Sequence, residues 1–264
     1  MGQRSWHAFV DGTDRCAHGV QIYAELDELS ESVASYLAAG FALGEPGVVV
    51  ATKDHFVHFE QALAKAGSKY DDELLVFAEA EETLAGIMDG DAPSPAAFER
   101  VVGGLLDQAA ERFPGRNIRA FGEMVDILHS RGEPAAAVQL EELWNGLAAH
   151  RQFSLLCGYR LNVFDRETQS GSLPEVCRTH SHVLPAADHV RFGLAVDDAL
   201  EEALGYDQAG KVYVMVNREV HEADGVPVPQ KVLMWLSKNM PASADRVLAG
   251  ARERYFAGPL TTAE

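Results

Sequence analysis

Positive charge is in short supply in this chain. Lysine and arginine together number 22 against 40 aspartates and glutamates, a formal net charge of −18 over 264 residues. Phosphate recognition needs clustered cations, so this balance argues against a nucleic-acid surface. It favours solubility and a basic protein partner instead. Long apolar runs are missing too: none approaches the ~20 residues that span a bilayer. Arg4 is followed by no apolar segment, so no signal peptide is expected. Cysteine is scarce. Cys16, Cys157 and Cys177 are an odd number without disulfide-framework spacing. With no export signal, they fit a reducing cytoplasm.

Catalytic signatures are absent as well. No GxxxxGK[ST] phosphate loop occurs. Gly122-Glu123 is not a nucleophile elbow, which needs G-x-S-x-G. Spacing alone supports no Ser-His-Asp, Cys-His or paired-carboxylate arrangement. A binding role is therefore expected ahead of an enzymatic one.

What is present is a regular alternation. Val20–Tyr23, Gly47–Thr52, Leu74–Phe77, Ile118–Phe121 and Phe153–Tyr159 read as strands, rich in β-branched and aromatic residues. Between them run segments of helical periodicity, such as Leu26, Leu29, Val33, Tyr36 and Leu37. The unbroken apolar run at 47–52 suits a parallel strand buried on both faces. Strand alternating with helix predicts a parallel α/β sheet with helices on both faces. Residues 1–17 are polar and expected to fray. Beyond Phe164 the texture changes. The sequence predicts a main domain over 1–185 and a mainly helical C-terminal extension over 186–264, with a strand at Lys211–Val216 inside it. Met234, Trp235, Leu236 and Met240 offer that extension an adaptable apolar face. The face serves output or dimerisation, or simply packs onto the main domain.

The densest segment is Arg119–Trp144. It opens as a short apolar strand, delivers Glu123 at the strand's end, and breaks at Gly132-Glu133-Pro134. An amphipathic helix carrying Glu141, Glu142 and Trp144 follows. A carboxylate where a buried strand meets a helix is a common binding position in an open α/β sheet.

This segment, with His18-Gly-Val-Gln-Ile-Tyr23, Gly44–Thr52, Ala80–Thr83, Phe153–Tyr159 and Cys177-Arg-Thr-His-Ser-His182, resembles the MEDS family. These are sensory domains of methanogens and methylotrophs, found in regulators of one-carbon metabolism. The resemblance runs in order over roughly residues 16–185. It implies a RecA/KaiC-like three-layer fold used for signal sensing, with a small organic or hydrocarbon-derived signal. Members often sit beside histidine-kinase or DNA-binding modules, and neither signature occurs here. A histidine kinase or other regulatory protein is the partner that the resemblance implies.

A RecA-like fold raises nucleotide hydrolysis as a rival. The loop after the first strand, Ala24-Glu25-Leu26-Asp27-Glu28, has no glycine or lysine and carries three carboxylates. These would repel a triphosphate. A nucleotide-binding or phosphotransfer protein with a degenerate loop remains the alternative, and a ligand-free interaction scaffold the next. For the sensor, the expected ligand-binding set is His18, Tyr23, Glu25, Glu123, Glu141, Glu142 and Trp144, lining one crevice at the sheet's carboxyl edge. For His18 a capping role at the strand start is the plain option, and for Trp144 a core role. Cys177, His180 and His182 form a C-x-x-H-x-H cluster whose donors suit zinc or another late transition metal. The two histidines alternate, so on a strand they share a side. A fourth ligand would come from Cys157 or His129. The identity of any cofactor is not readable.

Overall fold

A computed structural model of the chain describes residues 6–11, 17–68, 72–219 and 225–257. Cys16 lies outside the described residues. The strands are β1 (His18–Tyr23), β2 (Gly47–Ala51), β3 (Leu75–Glu79), β4 (Met88–Asp89), β5 (Ala92–Pro93), β6 (Ile118–Gly122), β7 (Phe153–Arg160) and β8 (His182–Leu184). β4 and β5 form a small hairpin, and the other six make one sheet in the order β3-β2-β6-β7-β1-β8. Every pairing in that sheet is parallel.

Helices cover both faces, giving a three-layer α/β fold. On one side lie α1 (Trp6–Val10), α2 (Leu26–Ala42) and α3 (Lys53–Lys65), packed on Tyr23, Val49, Phe121 and Leu156. On the other lie α4 (Ala80–Ile87), α5 (Pro95–Phe98), α6 (Gly104–Arg112), α7 (Met124–Ser130) and α8 (Pro134–Ala148). A π-helical turn at Glu99–Gly103 joins α5 to α6. The strand pleat divides the residues: Val20, Ile22, Leu155, Cys157 and Tyr159 belong to the second face. Val48, Val49 and Val50 are fully buried, each worth about 1.5–3 kcal/mol.

Charge is also buried. Arg119 of β6 is fully enclosed, with Nε on Glu45 Oε2 at 2.7 Å, Nη1 on the Val10 carbonyl, and its guanidinium over the Tyr36 ring. The approach requires Gly40, where an added Cβ would lie 2.5 Å from Arg119 Cγ.

The remaining helices are α9 (Arg166–Ser170), α10 (Ser172–Thr179), α11 (His189–Leu204), α12 (Tyr206–Glu219), α13 (Val228–Asn239) and α14 (Pro241–Phe256). Phe192, Val196, Val216, Leu236 and Val247 join the same apolar core as the second sheet face.

Two sequence expectations change, and one open alternative is decided. Lys211–Val216 is helical within α12, because Ala209, Val212 and Val216 are buried at helical spacing while Val214 and Met215 face out. Of the two uses open to the apolar face on α13, packing inward is the one observed: Leu236 is fully buried and Met234 and Trp235 pack on the core, while Met240, just after the helix, is exposed. Of the expected frayed start, residues 1–5 and 12–16 lie outside the described residues. Residues 6–10 form α1, with Phe9 buried against Tyr36 at 5.1 Å.

Candidate functional site

Five of the seven residues expected in one crevice are distributed over three places. Tyr23 and Glu25 follow β1 to the carboxyl edge. There they line a cleft of about 450 Å³ with Arg160, Phe164, Tyr255 and Phe256. Its walls come both from the strand ends and from α14. Tyr23 is anchored, its hydroxyl donating to Asp126 Oδ2 at 2.8 Å while the Arg160 amide donates to Oδ1. Burial, with Asp126 beside it, raises the Tyr23 pKa, so the phenol stays protonated. Glu28 reaches back to the Ala24 and Glu25 amides at the head of α2. Amides that would cradle a phosphate in a nucleotide-binding loop are thus taken by the chain's own carboxylate.

Glu123 stands further along the same edge, where β6 ends. It accepts hydrogen bonds from the Thr52 amide and from His55 Nδ1, the latter at 2.7 Å. A carboxylate at a buried strand end needs such partners. The hydrogen bond to Glu123 raises the His55 pKa. His55 lies outside the expected set; its signal is a histidine in the first turn of α3, behind the Thr52 cap.

His18 and Glu141 meet elsewhere, in a sealed polar centre between the second sheet face and α8. His18 starts β1, and its Nε2 lies 3.3 Å from Glu141 Oε2 and 3.3 Å from Cys157 Sγ. Its backbone amide donates to the Ser181 hydroxyl at 3.0 Å. His180, just after α10, places Nε2 3.4 Å from Glu141 Oε1, and its ring lies 4.1 Å from that of His18. Tyr159 donates to Glu141 Oε1 at 2.9 Å. The side chains of His18, Glu141, Cys157 and His180 are buried, and one nitrogen, oxygen or sulfur atom from each lies within 4.8 Å of the others.

The outer partners fix the tautomers. Asn145 gives its Nδ2 to the Thr179 carbonyl, so its Oδ1 faces His18 Nδ1 at 3.0 Å. His180 Nδ1 lies 2.6 Å from the Val176 carbonyl. Both rings therefore carry a proton on Nδ1 and turn Nε2 toward the centre. Burial lowers the His180 pKa to about 4, which leaves a neutral imidazole at pH 7. Burial, reinforced by the Glu141 charge, pushes the Cys157 thiol well up.

Trp144 and Glu142 stand apart from all three places. Trp144 is core: it packs edge-on to Phe98 at 5.2 Å and roofs Gly122. Glu142 is exposed, 3.6 Å from Arg178. The C-x-x-H-x-H cluster also divides. Cys177 sits in α10, buried, its thiol pushed up to about 12 by that burial. His182 lies on β8 and stacks on Phe9 against the opposite face. The expectation that His180 and His182 share a side fails because His180 belongs to the turn after a helix and His182 to a strand. Of the expected trio, the geometry brings only His180 to the polar centre. Cys157 had entered only as an optional fourth ligand. Tyr159 and Asn145 were missed, although Cys157 and Tyr159 share a pleat face and Glu141 and Asn145 share a helix face at i, i+4.

Chemically, the centre is a buried set of nitrogen, sulfur and carboxylate donors. The cleft is an open, mixed aromatic and polar surface. Among the described residues, no helix is long and apolar enough to cross a membrane. No curated protein matches the sequence. The family comparison covers His18, Glu141, Cys157, His180 and the whole sheet as far as β7: over residues 17–181 the chain matches the methanogen/methylotroph DcmR sensory domain, and it belongs to this MEDS family.

Proposed function

We propose that the chain is a non-enzymatic sensory module that binds a small organic ligand and passes its occupancy to a regulatory partner protein. Family membership supports the sensory role. The single observation that carries the rest is the cleft of about 450 Å³ at the carboxyl ends of β1 and β7. Its size suits a modest organic molecule. One wall, Tyr23 and Glu25, belongs to the sensory segment, and the other, Tyr255 and Phe256, belongs to α14. A ligand bridging the two favours one arrangement of the C-terminal helices, a population shift that a partner reads. Residues 186–264 are then the output element, and a histidine kinase is one partner of the right kind. The parallel sheet with β1 in its interior supports a RecA-like ancestry, while the Glu28 carboxylate on the α2 amides speaks against retained nucleotide binding.

The test is a thermal-shift and calorimetric screen of the full chain against short alcohols, amides and halogenated hydrocarbons, with magnesium-nucleotides in parallel. A ligand at 100 times its Kd stabilises by about 2.7 kcal/mol. The expected result is saturable stabilisation by an uncharged organic, lost in Phe256→Ala. Stabilisation by magnesium-nucleotide alone would overturn the proposal.

A further inference from the structure

The polar centre has too few protons for its acceptors. With Nδ1–H committed outward on both rings, His18 Nε2 and His180 Nε2 present lone pairs inward. Each faces an oxygen of Glu141, at 3.3 and 3.4 Å. His180 Nε2 makes no hydrogen bond among the described residues, although it is fully buried. The protons available inside are that of Tyr159, given to Glu141, and that of the Cys157 thiol, which lies 3.3 Å from His18 Nε2 and 3.7 Å from Glu141 and has none left for His180 Nε2. Lone pair facing lone pair in a dry interior is costly unless positive charge lies between them.

We propose that His18, Glu141, Cys157 and His180 form a buried tetrahedral site for a zinc-type divalent transition metal. The spacing fits. Zinc bonds of roughly 2.0–2.3 Å require ligand atoms roughly 3.3–3.8 Å apart at the corners of a tetrahedron. His18–Glu141 Oε2 and His18–Cys157 at 3.3 Å and Cys157–Glu141 Oε2 at 3.7 Å fall in that range; His180 Nε2 stands 3.4 Å from the other carboxylate oxygen, and one ligand atom from each of the four residues lies within 4.8 Å of the others. The donor set also fits. Two imidazoles and a thiolate select zinc and its neighbours over calcium or magnesium, which demand oxygen. The surroundings are those of a metal site: Asn145 and the Val176 carbonyl orient the imidazoles, and Tyr159 orients the carboxylate. Binding is a ligand exchange without redox change: the metal takes the Cys157 sulfur as thiolate, and the displaced proton leaves to solvent. The ion would tie the start of β1, β7, α8 and the end of α10 together at one point. This site is separate from the cleft proposed for the organic ligand, and either stands if the other fails.

The test uses the full chain, stripped with chelator and titrated with Zn²⁺ and with Co²⁺ as a coloured substitute. One equivalent of metal per chain is expected. Cobalt should give the intense visible bands of tetrahedral coordination and a thiolate charge-transfer band. Cys157→Ser should abolish the charge-transfer band, and His180→Gln should weaken affinity at least 10-fold. Cys177→Ser should leave both unchanged. Circular dichroism on the metal-free variants separates loss of a ligand from loss of the fold, and Tyr159→Phe provides a milder variant that keeps all four ligands. No metal retained at micromolar concentration by the folded wild type would overturn the proposal. So would a cobalt spectrum that Cys157→Ser does not change.

Discussion

His55 and Glu123, 68 positions apart, meet at 2.7 Å at the carboxyl edge of the sheet. The hydrogen bond raises His55 above its ordinary value of 6.5. Because the folded-state pKa is the higher one, the pair's stabilisation is complete below 6.5. It is lost as pH climbs through the raised value. Denaturant melts at pH 6 and pH 8.5 should show the wild type losing more stability over that interval than His55→Gln. Equal losses would show that the pair is not coupled to folding.

Arg119 and Glu45 form an enclosed ion pair at 2.7 Å. Removing one partner leaves the other charge stranded, at a cost of about 3–5 kcal/mol. Glu45→Gln should therefore lower the denaturation midpoint sharply, and Glu45→Gln combined with Arg119→Met should recover part of the loss. A double variant no more stable than Glu45→Gln alone would contradict this account.

Gly40 tests the same neighbourhood from the other side. An alanine Cβ there would meet Arg119 Cγ at 2.5 Å. The arginine is pinned by Glu45 and Val10 and has little room to yield. Gly40→Ala should cost about 1–3 kcal/mol by overpacking, despite the better helix propensity of alanine. A stabilised variant would show that the arginine moves freely.

Neighbours on α8 should behave oppositely. Trp144→Ala empties a core position between Phe98 and Phe153 and should cost about 3–5 kcal/mol. Glu142→Gln removes only an exposed charge facing Arg178 and should fall within about 0.5 kcal/mol of wild type. Equilibrium unfolding of the two variants checks both.

Cys177 should resist alkylation in the native chain. It is buried, and burial pushes its thiol up to about 12. Site-resolved mass spectrometry at pH 8 should find it unmodified until denaturant unfolds the chain. Rapid labelling of the native protein would place it on the surface.

Local sequence determined the elements. β2 is a run of valines with no face to spare for water, and the Thr52 cap and the Phe59/Leu63 stripe define α3. Strand alternating with helix then leaves a parallel sheet as the economical solution. Where local signals conflict, as at Lys211–Val216, β-branched residues suggest a strand and core packing makes a helix. Glu123 was legible as a carboxylate needing a partner, but His55 was not legible as that partner. The polar centre was decided wholly by tertiary structure. His18 and Cys157 are 139 residues apart, and they meet because β1 and β7 pair in parallel with Val20 beside Cys157. A one-residue slip of that register would turn Cys157 and Tyr159 to the other face. Residue types and spacing suggested metal chemistry near Cys177-Arg-Thr-His-Ser-His182. Strand register and the helix end at Thr179 selected His180 from that cluster, and they placed His18, Glu141 and Cys157 around it.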